Sequence, residues 1–227
     1  MKAKELIYNL RANLEEVGSQ LATKTDQHLM YMLDSARTVL SAQKMDRAVN
    51  VSQLVQYVDV TPTQAPKADL GLTGEANIMK LTIPKPAMYN NGEAIFTVGA
   101  IDGEDSFSKI TFSQLRTALY RKYTGSAPKW LWHNDAIYII NIEIDSLAKV
   151  RVRAIFEEPY QVEIAMGRYK YLTPFDWEYP LTFKDAKAVY QLAMSAELGW
   201  GDIAVQSIQN AQRRQQRDTK EQDNAQV

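Results

Sequence analysis

Two histidines, three adjacent acid pairs, one Gly-x-x-Gly segment and a run of alternating cations are the parts of this 227-residue chain that could do chemistry. A metal centre needs converging ligands, yet His28 and His133 belong to no HxH or HExxH set. Asp135 lies close to His133, but spacing ties no hydroxyl nucleophile to the pair. Glu15–Glu16, Glu104–Asp105 and Glu157–Glu158 could do acid–base work if burial split their proton affinities. Each pair falls at an expected element end or in a loop, where solvation is the default. A glycosidase-like reading would need two of Asp135, Glu157, Glu158 and Asp176 facing each other across roughly 5–10 Å. The GLTG segment from Gly71 to Gly74 lacks the Lys-Ser/Thr of a phosphate loop.

Lys149, Arg151 and Arg153 alternate with Val150, Val152, Ala154 and Phe156, which predicts a strand over Lys149–Phe156 with Ile155 on the cationic side. Such a stripe could meet DNA phosphate as a channel lining. Flanking acids favour a solvated face paired with Glu143, Asp145, Glu157 or Glu158. A nucleic-acid-binding module would need Arg151, Arg153, Arg168 and Lys170 on one patch. The aromatics Tyr160, Tyr169, Tyr171, Phe175, Trp177 and Tyr179 fit a core, a protein interface or a stacking surface for a ligand.

Composition narrows these options. Net charge is −1 and the sequence pI about 6.2, so the whole chain is no electrostatic trap for nucleic acid. Zero cysteines exclude disulfides, thiolate catalysis and cysteine-based zinc or iron–sulfur sites. With no signal-peptide pattern at the start and no apolar run near the ~20 residues that span a bilayer, a soluble protein is expected.

The elements that must position these residues follow from periodicity. Leu6, Ile7, Leu10, Leu14 and Val17 predict a helix over about Ala3–Val17, stopped by Gly18. Thr25 predicts the cap of a second helix with Leu29, Leu33, Ala36 and Leu40 buried, widened by Met32 and Val39. The two form an antiparallel hairpin. Strands are expected at Val51–Val60, Ile78–Ile83, Ala94–Ala100, Lys129–Trp132 and Ala136–Asn141, with turns at Asn91–Gly92, Asp102–Gly103 and Asn134–Asp135. Residues 62–76 read as a loop. Thr111 and Gln114 have capping-box spacing before a short helix to about Lys122 that buries Leu115, Leu119 and Tyr123. Residues 167–180 read as ordered coil. A last helix runs from Leu181 or Thr182 to about Leu198, with Ala186, Val189, Tyr190 and Ala193 facing the first two. After Gln212 the chain is almost devoid of apolar residues.

The expected fold is therefore α+β: a helical bundle from the N- and C-terminal helices with a central antiparallel β lobe containing one short helix. The expected division is a helical hairpin at 1–48, a β-rich lobe at 49–180, a C-terminal helical part at 181–211 and a flexible polar tail at 212–227.

The order of KAKELIYNLRANLEEV, TDQHLMYMLDSARTVLSAQKMD, FTVGAIDGEDSFSKITFSQLRTALYRKYTGSAPKWLWHNDAIYI, VRVRAIFEEP and YPLTFKDAKAVYQLAMSAEL resembles the head-to-tail connector, or adaptor ring, proteins of short-tailed phages, closest to those of crAss-like phages. The resemblance covers roughly residues 1–200. It implies a structural virion protein made in the host cytoplasm and assembled as a homo-oligomeric ring of about twelve copies. The ring would bind the portal and other tail proteins, with double-stranded DNA passing through its lumen. No catalytic residue or cofactor is implied. On this reading Lys149, Arg151 and Arg153 are candidates for the channel lining. Tyr169, Tyr171, Phe175, Trp177 and Tyr179, with Arg213, Arg214 and Arg217 of the tail, are candidates for protein contact.

Overall fold

The computed structural model describes residues 1–16, 18–47, 49–72, 77–89, 92–101, 106–119, 127–142, 148–168 and 175–195. Helix α1 (Ala3–Glu16) buries Leu6, Ile7, Leu10 and Leu14 at helical spacing. Gly18, at φ +71°, takes the left-handed conformation that ends it. Thr25 Oγ1 accepts the His28 amide at 3.3 Å and starts α2 (Asp26–Asp46). Leu29, Met32, Leu33, Ala36 and Leu40 are buried as expected, but Val39 is 45% exposed. Met30 and Arg37 take its place, because α2 is covered by α1 on one side and by later segments on another.

The bundle closes with a helix over 183–195, here α5. Thr182 Oγ1 accepts the Asp185 amide at 3.0 Å, and Ala186, Val189 and Ala193 are buried. Tyr190 is half-buried; Leu198 lies outside the described residues, as do Val17, Lys122 and Tyr123. Lys44 of α2 and Asp185 of α5 pair at 2.6 Å with both side chains largely covered.

The β region holds two stacked sheets. The first runs in the order β1 (Gln56–Val60), β10 (Val150–Ala154), β6 (Ile95–Ala100), all antiparallel. The second runs β2 (Thr63–Gln64), β3 (Ile78–Leu81), β9 (Ala136–Ile140), β8 (Lys129–His133), β7 (Ser108–Lys109). The β7–β8 pairing is parallel, so the lobe is mixed rather than purely antiparallel. Val58, Val98, Val150 and Val152 of the first sheet share one core with Met79, Leu81, Ile137 and Ile139 of the second. Ile78, Leu131, Tyr138 and Ile140 point the other way, beneath Leu70, Ile110, Leu115 and Ala118. Strand β9 is buried at every position because both of its faces are covered.

Several segments differ from expectation. Only Gln56–Val60 of the 51–60 stretch is strand; Leu54 precedes it as a fully buried plug in the bundle core. The expected loop after Pro62 contains β2 and a 3-10 turn, Lys67–Leu70, both too short to carry a period. Gly92 is paired in β5 (Gly92–Glu93) against Tyr89 of β4 (Met88–Tyr89), so it does not sit in the turn; Asn91, Asp102 and Gly103 are outside the described residues. The Thr111 amide does donate to Gln114 Oε1, at 3.2 Å, ahead of α3 (Leu115–Leu119). A fourth helix, α4 (Pro159–Ala165), was not anticipated, although proline at its first turn after Glu157–Glu158 is a start signal.

Strand β10 shifts register between Arg153 and Ala154, whose partners on β6 are Thr97 and Ile95. Beyond it the alternation breaks. Ile155 is not on the cationic face but fully buried in the bundle core, while Phe156 is fully buried between the sheets.

Candidate functional site

The cationic stripe lies on the outer face of the first sheet. Register places Asp59 of β1 directly opposite Arg151, and Tyr57 opposite Arg153. Arg151 grips both Asp59 oxygens, Nε at 2.7 Å and Nη2 at 2.8 Å, and lies 4.9 Å from the Tyr57 ring centre. Arg168 approaches the same ring at 5.8 Å and donates to the Tyr57 hydroxyl at 3.4 Å. The hydrogen bond from Arg151 holds the Asp59 carboxyl below the usual carboxylate range. Lys149 and Arg153 remain exposed. Asp59 was missed as a partner because it is 92 residues away in sequence. Of the expected partners, Glu157 pairs with Lys85 at 3.0 Å, and Glu143 and Asp145 lie outside the described residues, as does Lys170.

The aromatic segment divides by burial. Trp177 and Tyr179 are core residues, 3% and 2% exposed, with ring centres 5.4 Å apart. Phe175 and Tyr160 are partly buried against the same core. Tyr169, Tyr171, Arg213, Arg214 and Arg217 lie outside the described residues.

Behind these rings sits a polar group that the periodicity of α2 conceals. Tyr179 donates its hydroxyl to Asp34 Oδ1 at 2.6 Å. Burial pushes the Asp34 carboxyl up to about 7; the Tyr179 hydrogen bond and Arg37 oppose the rise, and Glu158 adds to it. Arg37 is fully buried, donating to the carbonyls of Phe156 and Leu54 at 2.8 Å each, with its guanidinium 5.9 Å from the Tyr179 ring. A cavity of about 290 Å³ opens beside this group, lined by Gln27, Met30, Tyr31, Asp34, Glu158, Tyr160, Phe175 and Trp177. No spacing within α2 marks Asp34 and Arg37 for burial, since their partners lie 145 and 119 residues away.

The remaining chemical candidates scatter. Asp176 pairs with Lys2 at 2.7 Å and Lys4 at 3.0 Å, and the Lys2 hydrogen bond leads in lowering its carboxyl to about 2. Asp135 lies in the β8–β9 turn. The cavity beside Asp34 therefore holds Glu158 without Asp135, Glu157 or Asp176. His133 stacks on Phe112 with ring centres 4.6 Å apart. Among the described residues no group of three or more His, Asp or Glu side chains could hold a metal ion, and no helix is long and apolar enough to cross a membrane. Large apolar side chains do reach the surface: Phe183 is 84% exposed, Tyr8 71% and Tyr31 70%.

This combination, a packed α+β scaffold with exposed aromatics and internally paired charges, suits contact with other protein chains. No curated protein matches the sequence. A family model described as phage tail ring protein 2 matches residues 5–223, nearly the whole chain. The chain belongs to that family, the crAss-like phage tail ring proteins, and is a structural component of the virion tail.

Proposed function

We propose that this chain is a non-enzymatic subunit of the head-to-tail connector, a ring that joins the portal to the tail around the DNA channel. The family match over residues 5–223 carries the ring assignment, and the resemblance over roughly residues 1–200 supports the connector position. A cyclic ring repeats one heterologous interface until rotation closes it, here at about twelve copies. Near-neutral net charge fits a conduit through which DNA slides without being held.

Within that ring the bundle segments 1–48 and 181–211 flank the β-rich part 49–180, and the tail 212–227 orders on a neighbour through Arg213, Arg214 and Arg217. Lys149 and Arg153 are the channel-lining candidates with free reach, since Arg151 is engaged by Asp59. Of Phe175, Trp177 and Tyr179, Phe175 is the least buried and the one left to reach a neighbour, while Trp177 and Tyr179 belong to the core.

Mass photometry of the chain alone and mixed with the cognate portal tests this reading. Portal particles that gain about twelve copies support the connector position. Binding to another tail protein with none to the portal assigns the chain to a ring farther down the tail. Removal of residues 213–227 leaves the fold intact and weakens assembly; unchanged ring formation by the truncated chain defeats the role given to the tail.

A further inference from the structure

The cavity beside Asp34 has the chemistry of a cation receptor. Its walls include the rings of Tyr31, Tyr160, Phe175 and Trp177, and its polar groups include the carboxyls of Asp34 and Glu158. Aromatic faces and carboxylates both attract a positive head group, and the rings also cover an aliphatic stem. At about 290 Å³ the space suits one side chain rather than a cofactor.

Asp34 supplies a second indication. The residue is only 6% exposed, and Tyr179 occupies Oδ1. Oδ2 has no hydrogen-bond donor among the described residues. Arg37 does not serve it: Nη1 and Nη2 each donate to a backbone carbonyl, and the buried Nε has no hydrogen-bond partner among the described residues, Asp34 included. An apolar occupant would leave that oxygen unpaired, which costs free energy. An anion would meet two carboxyls. A guanidinium or ammonium supplies Asp34 Oδ2 with a donor and sits beside the exposed Glu158 carboxylate, whose Oε2 already accepts from Gln161 at 3.1 Å.

We propose that this cavity receives a single basic side chain, arginine or lysine, presented by a neighbouring protein chain. The proposal rests on the chain assembling with other protein chains, not on its position along the tail. The groups that set the charge there are Asp34, Glu158, Arg37 and the Tyr179 hydroxyl. An incoming cation favours ionised Asp34, so affinity rises as pH climbs through about 7 and falls below it.

The test uses the full chain, labelled with fluorotryptophan, and two probes: N-acetyl-arginine amide and its neutral isostere N-acetyl-citrulline amide. The arginine probe should shift the Trp177 resonance saturably, with the citrulline probe about tenfold weaker or worse. Glu158→Gln should weaken arginine binding severalfold, and Asp34→Asn should abolish it. Equal response to both probes, no response of Trp177 to either, or full affinity in the Glu158→Gln chain would overturn the receptor. If the Asp34→Asn chain fails to fold, the isostere comparison and Glu158→Gln still decide. Assembly provides the final arm: excess arginine probe should slow association of the chain with its partners where citrulline does not. Equal assembly in both removes the neighbour as the source of the cation.

Discussion

Tyr179 donates its hydroxyl to Asp34 at 2.6 Å across 145 residues of sequence, tying α2 to the segment that leads into α5. Both residues are buried, and Asp34 meets solvent only where it lines the cavity. Tyr179→Phe keeps the ring and removes only the donor. It should destabilise the chain by about 1–3 kcal/mol, as expected for a buried acceptor left unsatisfied. The same change should raise the Asp34 carboxyl further, since this hydrogen bond opposes the effect of burial. Urea unfolding and carboxyl titration by NMR read the two effects separately.

Asp34 also sets a pH dependence of stability. Its folded value, about 7, lies above the ordinary 3.8. The folded state therefore binds more protons between about pH 4 and 7, and stability falls as pH rises through that window. Asp34→Asn removes the ionisation cost while keeping an acceptor for Tyr179. Unfolding curves should show a gain of about 1–3 kcal/mol at pH 8, little gain near pH 4, and a flatter profile between. A profile as steep as the original's would show that another group is responsible.

Arg151 and Arg153 should behave differently although they share a strand face. Arg151→Ala breaks the two-pronged contact with Asp59 and should cost about 0.5–1 kcal/mol, diminishing in high salt. Arg153→Ala should be neutral within ~0.5 kcal/mol. The Asp59 contribution has the opposite sign to that of Asp34: its folded-state affinity for protons is lowered, so the stabilisation is full above the ordinary carboxylate range and is lost as pH falls through the depressed value. Thermal unfolding of both variants at two salt concentrations measures the contrast.

The β8–β9 hairpin turns on Asn134 and Asp135, at φ +46° and +55°. Glycine prefers such a conformation where an aspartate is strained. Asp135→Gly should therefore stabilise the hairpin by about 0.5–1 kcal/mol, whereas Asn134→Ala should destabilise it. Differential scanning calorimetry should place the two variants on opposite sides of the parent.

Local chemistry made much of this architecture readable. Leu6 to Leu14 on α1, the Thr25 cap, the Asn134–Asp135 turn and the alternation of β10 are all decided within a few residues. The burial of Arg37 and Asp34 was not readable, because α2 is covered by segments far along the chain whose arrival leaves no mark on its own period. The same reason hid Asp59 as the partner of Arg151. Strands β2 and β7 were too short to show alternation, and Ile155 left the pattern because a register shift ended it.

Ile155 and Phe156 are consecutive residues anchored in different cores. A pull that separates the helices from the sheets must extract one of these side chains before the other can follow. Arg37 reinforces the joint by holding the Phe156 carbonyl from the helical side. Tension entering through the bundle thus reaches the stacked sheets within one peptide link, with no slack to take up. Under load, such a joint makes the subunit yield as one piece rather than part between its two cores.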